Sequence, residues 1–254
     1  MIPKIIHYCW FGRGPKPELT QKCIASWKKY LPDYQIKEWN EDNFDLDQYP
    51  YAKEAYENRK FAFAADVARL YALYTDGGIY MDTDVEVKQS LDPLLDNTAF
   101  VGYEDGKIIS TALIASEKNG ILIGSLLDYY KQRHFIGKDG SMDLRTNVYT
   151  VTNMLKKKGL KQDNMYQKIE GLVSIYPKDY FSPLSLNGRH LNITSNTYSI
   201  HHFMGSWSTK SSFSIFIESF KYNVLFKILP QSFINMVLKI KENRRRKHDS
   251  KNFG

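Results

Sequence analysis

The stretch FAFAADVARLYALYTDGGIYMDTDVEV, residues 61–87, decides the fold. Its first fifteen residues, Phe61–Thr75, are almost wholly apolar and carry no helix breaker, which predicts a buried helix. Asp76-Gly77-Gly78 stops that helix as a glycine cap does, because glycine takes the left-handed conformation without steric cost. Ile79–Val87 then follows at once as a strand, so the segment reads as a helix packed back onto a sheet. Upstream, Ile2–Trp10 reads as another buried strand, β-branched at Ile2, Ile5 and Ile6, and the turn Gly12-Arg13-Gly14-Pro15 ends it. Glu18–Tyr30 has Leu19, Cys23, Ile24 and Trp27 at helical spacing, and Tyr34–Trp39 reads as a strand. Asn40–Asp47 is a polar loop, and its Asp45-Leu46-Asp47 is assigned no function.

Further along, 98–116 reads as one or two strands, 119–134 as a helix, Phe135–Asn147 as a polar loop and Val148–Lys158 as a helix. Val173–Tyr176 and Thr197–His202 read as short strands. Strands alternating with helices predict an α/β fold with a mostly parallel central sheet flanked by helices.

The 254 residues are 43% hydrophobic and 25% charged, which suits one compact body with a short appendage. No apolar run approaches the roughly 18 residues that would cross a bilayer. Ile2–Phe11 is interrupted by Lys4 and His7, lacks a small-residue cleavage pattern and is not read as a signal peptide. Two cysteines, Cys9 and Cys23, are too few to staple a chain of this size, so a cytoplasmic location is expected. The formal net charge of +7 resides in residues 221–254, where nine Lys/Arg face only Glu242 and Asp249. Residues 1–220 are electrically balanced, which argues against a nucleic-acid-binding body. Residues 1–210 are expected to form the globular domain and 211–254 a basic helical tail.

Asp82 and Asp84 carry the strongest chemical signal. On a continuous strand they share a face about 7 Å apart, at the strand end where α/β sheets bind ligands. Either they are the solvated face of an ordinary strand with Glu86, or they hold a hard cation such as Mn²⁺ or Mg²⁺. Asp66 and Arg69, the only charges within Phe61–Thr75, lie three apart on one helix face. Buried charges must be paired or employed. They form an internal salt bridge, or Arg69 reaches a phosphate or sugar while Asp66 accepts sugar hydroxyls, and the two readings are compatible. His201-His202-Phe203-Met204-Gly205-Ser206-Trp207 supplies a second polar group. A histidine there can ligate a metal, Ser206 can donate to phosphate, and the Trp207 indole N–H suits an anionic oxygen. Trp10, at the end of the first strand, either packs in the core or stacks on a nucleobase.

Taken together and in order, Ile2–Trp10, Ser26-Trp27, Ala65–Tyr71 running into Gly77–Asp84, and His201–Trp207 resemble a family 32 glycosyltransferase with a DXD sugar-binding region. Relatives of that family include the yeast initiating α-1,6-mannosyltransferase, with more distant similarity to the clostridial glucosylating toxins. The resemblance implies a GT-A fold and a metal-dependent, retaining transfer of a hexosyl unit from a nucleotide-diphospho-sugar, UDP preferred. By position, Trp10 would stack on the base, and Asp66 and Arg69 would hold sugar and phosphate. Asp82 would contact ribose or sugar. Asp84 would be the main metal ligand, helped by His202 with His201 as the fallback, and Ser206 and Trp207 would steady the β-phosphate. The implied acceptor is a glycan or lipid-linked glycan in bacterial surface-polysaccharide assembly. Its site is expected within 104–147, where Asp105, Arg145 and Asn147 are the polar candidates. Rival readings are a metal-dependent nucleotide-sugar hydrolase and a non-catalytic protein that binds through its basic tail. Residues 213–241 show helical apolar spacing ahead of Arg244–Lys247, which fits peripheral contact with an anionic inner membrane face or a helix packed on the body.

Overall fold

The structure, a computed structural model, describes residues 1–185 and 190–205. The expected tail helices, the boundary at 210, Ser206 and Trp207 lie outside the described residues. Met1–Phe203 forms one compact unit, and Met204 begins a second.

The first unit is built on a seven-stranded sheet. Its strands are β1 (Ile5–Cys9), β2 (Gln35–Trp39), β3 (Gly78–Met81), β5 (Ala99–Tyr103), β6 (Ile109–Ser116), β7 (Gln167–Ile169) and β8 (Val173–Tyr176), in the spatial order β2-β1-β3-β6-β5-β8-β7. β1 pairs in parallel with both β2 and β3, and β5 with β8, whereas β6 and β7 run antiparallel to their neighbours. Five strands therefore share one direction and two oppose it. The C-terminal ends of the five and the start of β6 meet along one sheet edge, where α/β sheets place ligands.

Both faces of the sheet are covered. Along β3, Ile79 and Met81 join one core and Tyr80 the other, as the two-residue period of a strand requires. The Tyr80 face packs against α2 (Pro50–Glu57), α3 (Phe61–Asp76), α4 (Ile121–Lys131) and α5 (Asn147–Lys156). The Ile79 face packs against α1 (Glu18–Tyr30) and α6 (Lys178–Phe181). Fully burying each of Phe63, Val67, Leu70 and Leu73 of α3 contributes roughly 1.5–3 kcal/mol. α3 stops at Gly77, at φ +70°, and Gly78 at φ +112° starts β3. A Cβ on Gly78 would stand 2.5 Å from the Ile5 carbonyl oxygen, so the close approach of β3 to β1 also needs glycine here.

Ile79–Val87 departs from expectation. It is two strands: β3 leaves the main sheet at Met81, and β4 (Val85–Val87) pairs antiparallel with β9 (Ser199–His201) in a separate ribbon. Between them Asp82-Thr83-Asp84 forms a turn closed by Val85 N–H donating to the Asp82 carbonyl at 3.0 Å. Aspartate favours turns because its side chain competes for backbone donors. The ribbon is pinned to α1, where the Trp27 indole donates to Val85 O (2.7 Å) and the Ser26 hydroxyl accepts from Val87 N–H (2.9 Å). Asp82 and Asp84 thus converge across a bend, where a shared strand face had been expected. α2 and β7 have no counterpart in the sequence reading.

Candidate active site

Everything expected of the first polar group converges at the end of β3. Arg69, 5% exposed, lies over the Tyr80 ring at 4.4 Å and reaches two carboxylates with one nitrogen: Asp66 at 3.0 Å and Asp82 at 3.3 Å. Its other nitrogens donate to the carbonyls of Thr111 (2.7 Å) and Ala65 (3.4 Å). Each of the three guanidinium nitrogens therefore has an internal partner. The bridge foreseen as one of two readings is present, and Arg69 acts on the site by fixing Asp66 and Asp82. The Tyr80 hydroxyl donates to Asp82 at 2.9 Å, holding that carboxylate from a second side.

Asp66 also accepts the backbone N–H of Asn147, the first residue of α5, so it caps a helix that has no side-chain cap of its own. Asn147 is buried, and its side-chain oxygen accepts from the Thr111 hydroxyl at 2.7 Å. Of the three polar candidates in 104–147, only this one is tied to the cluster. Asp105 organises its own turn, accepting from the backbone of Lys107 and Ile108, and Arg145 is engaged with Asp143 at 2.8 Å.

Electrostatics sharpen the geometry. Burial drives the Asp66 carboxyl up to about 7 against the pull of Arg69, with Asp82 pushing in the same direction as burial. Burial raises Asp82 as well, again opposed by Arg69. Burial pulls the Arg69 pKa down, but Asp82, Tyr80 and Asp66 outweigh it and lift it above its ordinary value. Perturbed carboxyls gathered at a strand end are the usual mark of a functional site.

The metal-ligating set differs from expectation at one residue. Ligand atoms of Asp82, Asp84 and His201 all lie within 4.8 Å of one another. His201 Nε2 stands 3.5 Å from Asp84 Oδ1. His202 is turned elsewhere, its Nε2 3.0 Å from Glu86. Neighbouring residues on a strand face opposite ways, and pairing of Val85 with His201 sets which histidine looks toward the turn. The fallback His201, and not His202, belongs with the aspartates. His201 Nδ1 is buried without a hydrogen-bond partner among the described residues, an orphan that buried polar groups seldom leave. Burial would lower the His201 pKa, yet Asp84, Asp82 and Glu104 outweigh it and lift it above its ordinary value. Two carboxylates suit a hard divalent cation such as Mn²⁺ or Mg²⁺, and the imidazole adds a nitrogen ligand that Mg²⁺, which takes oxygen, accepts less readily.

Trp10 directly follows β1 on the same sheet edge. Its indole N–H goes to the Gly14 carbonyl at 2.8 Å and the Lys16 ammonium sits 5.5 Å from its ring, so contact with a flat ligand would fall to the ring face. The sequence reading missed Tyr80, Thr111, Ser110 and Glu104. Their positions at strand ends on one edge would have flagged them had the strand order been known. Two surface grooves, one at Ile121, Met154 and Leu172 and one at Tyr49, Tyr71 and Leu127, share no lining residue with the cluster.

Comparison with known proteins gives partial matches. Over 107 residues the chain is 36% identical to inositol phosphoceramide mannosyltransferase 3 of Schizosaccharomyces pombe, covering 39% of this chain and 29% of that protein. It is 34% identical over 147 residues to mannosyl phosphorylinositol ceramide synthase CSH1 of Saccharomyces cerevisiae, covering 54% of this chain and 38% of that protein. The chain therefore spans about a third of the length of these curated relatives. A solved glycosyltransferase involved in glycosylation of the PBCV-1 major capsid superposes with a TM-score of 0.45 at 11% identity, over 84% of this chain and 99% of that one. Residues 17–101, which hold Asp66, Arg69, Asp82 and Asp84 but not His201, match the family described as a glycosyltransferase sugar-binding region containing a DXD motif. Two Asp-x-Asp triplets fall in that range, Asp45-Leu46-Asp47 and Asp82-Thr83-Asp84, and the second is the one that lies in the cluster.

Proposed function

We propose that the chain transfers a hexosyl unit from a nucleotide-diphospho-sugar to a glycoconjugate acceptor, with Asp82, Asp84 and His201 holding a divalent cation. The observation that carries this reading is the convergence of those three residues beside the Asp66–Arg69–Asp82 ion chain at a ligand-binding sheet edge. Breaking the anomeric C–O bond puts negative charge on the departing diphosphate, and a bound cation supplies the opposing charge. The protein's own contribution is preorganisation. Arg69 and Tyr80 hold Asp82 at a fixed angle, α1 holds the ribbon that carries Asp84, and β9 presents His201 from the far side. Asp66 keeps acceptor capacity for a sugar hydroxyl beside its bonds to Arg69 and Asn147.

Inositol phosphoceramide in the relatives' names supports a lipid-linked acceptor. The same names favour mannose among the hexoses, so GDP-mannose joins the UDP-sugars expected from the resemblance. A screen of UDP- and GDP-sugars for slow, Mn²⁺-dependent donor hydrolysis tests the proposal. Asp84→Ala should abolish that turnover while its melting temperature stays within a few degrees of wild type. Wild-type turnover in the variant with Mn²⁺ present ends the proposal.

A further inference from the structure

Glu104 follows β5 directly, on the edge where Asp82, the start of β6 and Trp10 also meet. Its backbone N–H donates to the Ile108 carbonyl at 2.8 Å, which fixes the turn that presents it. The carboxylate is half-buried and takes the hydroxyl of Ser110, itself 2% exposed. Tyr103, just before it, pairs with Ile109 of β6, and the Asp82 N–H donates to the Ala112 carbonyl of the same strand at 2.7 Å, so Glu104 and Asp82 lie on either side of the start of β6, while Glu104 stands outside the three residues that gather as candidate metal ligands. Asp66 and Asp82 share Arg69, Asp84 lies 3.5 Å from His201, and the one chargeable base that acts on Glu104 is that same His201. No lysine or arginine pairs with Glu104 among the described residues, and burial raises its pKa. A carboxylate offers about four lone-pair positions, and one hydroxyl leaves most of them open.

We propose that Glu104 is a sugar-recognition residue, accepting hydrogen bonds from hydroxyls of the donor hexose while Ser110 sets its orientation. The inference deepens the transferase reading and rests on it. A sugar is the ligand whose chemistry fits, because its hydroxyls are neutral donors that enter beside Asp82 without adding charge. A phosphate would be repelled by the same carboxylate.

The test is calorimetric titration of the full chain in Mn²⁺ with GDP and UDP, then with GDP-mannose and UDP-glucose. For Glu104→Gln, affinity for whichever nucleotide-sugar the wild type binds should fall roughly tenfold, the loss of a charge-assisted hydrogen bond. Affinity for the matching nucleoside diphosphate should stay within about twofold, and the melting temperature should match or exceed wild type. Ser110→Ala gives an independent variant, with a smaller loss confined to the nucleotide-sugar. An unchanged nucleotide-sugar affinity, an equal loss for diphosphate and nucleotide-sugar, or a several-degree fall in melting temperature overturns the assignment. Wild-type protein that binds neither nucleotide class overturns it together with the transferase reading, which separates the two failures.

Discussion

Replacing Arg69 by methionine should be among the most damaging single changes in the chain, and its cost should depend on pH. Methionine keeps the length and apolar stem but removes the one cation shared by Asp66 and Asp82, at 3.0 and 3.3 Å. Removing one member of a buried ion pair typically costs about 3–5 kcal/mol, because the partner is left charged and unpaired. Here two partners are left, and the Thr111 carbonyl loses its donor as well, which adds on the order of 1–3 kcal/mol. Part of this is relieved when the carboxyls take up protons. Asp66 already sits at about 7 with Arg69 present, so in the variant both acids move higher still. A raised carboxyl pKa means that the folded chain binds protons the unfolded chain has released. Stability is then greatest below the unfolded value of about 4 and is lost as pH rises through the folded one. Urea unfolding followed by tryptophan fluorescence should show a deficit of about 4 kcal/mol near pH 8, shrinking by about half near pH 5. Adding Asp66→Asn to the variant should recover at least about 1 kcal/mol, since the two sites are coupled. A deficit under about 1 kcal/mol near pH 8, or one that grows toward acid, would refute the reasoning.

Three more outcomes follow from the geometry. His201→Gln should weaken Mn²⁺ binding by about tenfold or more, as loss of a ligand or of its immediate support does elsewhere, while His202→Gln stays within about threefold. Isothermal titration with the metal alone reads the difference, and equal effects would restore His202 to the ligand set. Gly78→Ala should destabilise the fold by well over 1 kcal/mol in urea, since its φ of +112° and the Ile5 oxygen 2.5 Å from the new Cβ leave it no room. A neutral result would mean that β1 and β3 can separate. Asp143, held at about 2 first by Arg145 and then by Arg133 despite partial burial, adds stability that is complete above about pH 4 and is lost on acidification toward pH 2. The gap between wild type and Asp143→Asn in thermal melts should therefore close over that range, and a gap that persists at pH 2 would contradict the assignment.

Much of this architecture can be read from residue order because local rules and tertiary packing agree. α3 shows the agreement best: an apolar run, two charges three apart and a glycine stop became a buried helix, an internal ion chain and a positive-φ cap. α1 appears at the bounds its periodicity predicts. What failed to show was set by distant partners. Nothing local says that β3 ends at Met81, because the break depends on β4 finding β9 more than a hundred residues away. The choice between His201 and His202 follows from the same pairing. Asn147, Thr111 and Glu104 read as ordinary polar residues until the strand order brings their elements to one edge. β7 is a three-residue edge strand with little apolar signal, and α2 is only eight residues long.

The bend at Thr83 has a mechanical consequence. Asp82 stands where the main sheet ends, Asp84 directly precedes β4 and His201 ends β9, so a cation held by all three would act as a rivet across the joint. Loading the metal would then stiffen the ribbon against the sheet and slow amide exchange at Ile200 and His201. Loss of the cation would loosen the same joint.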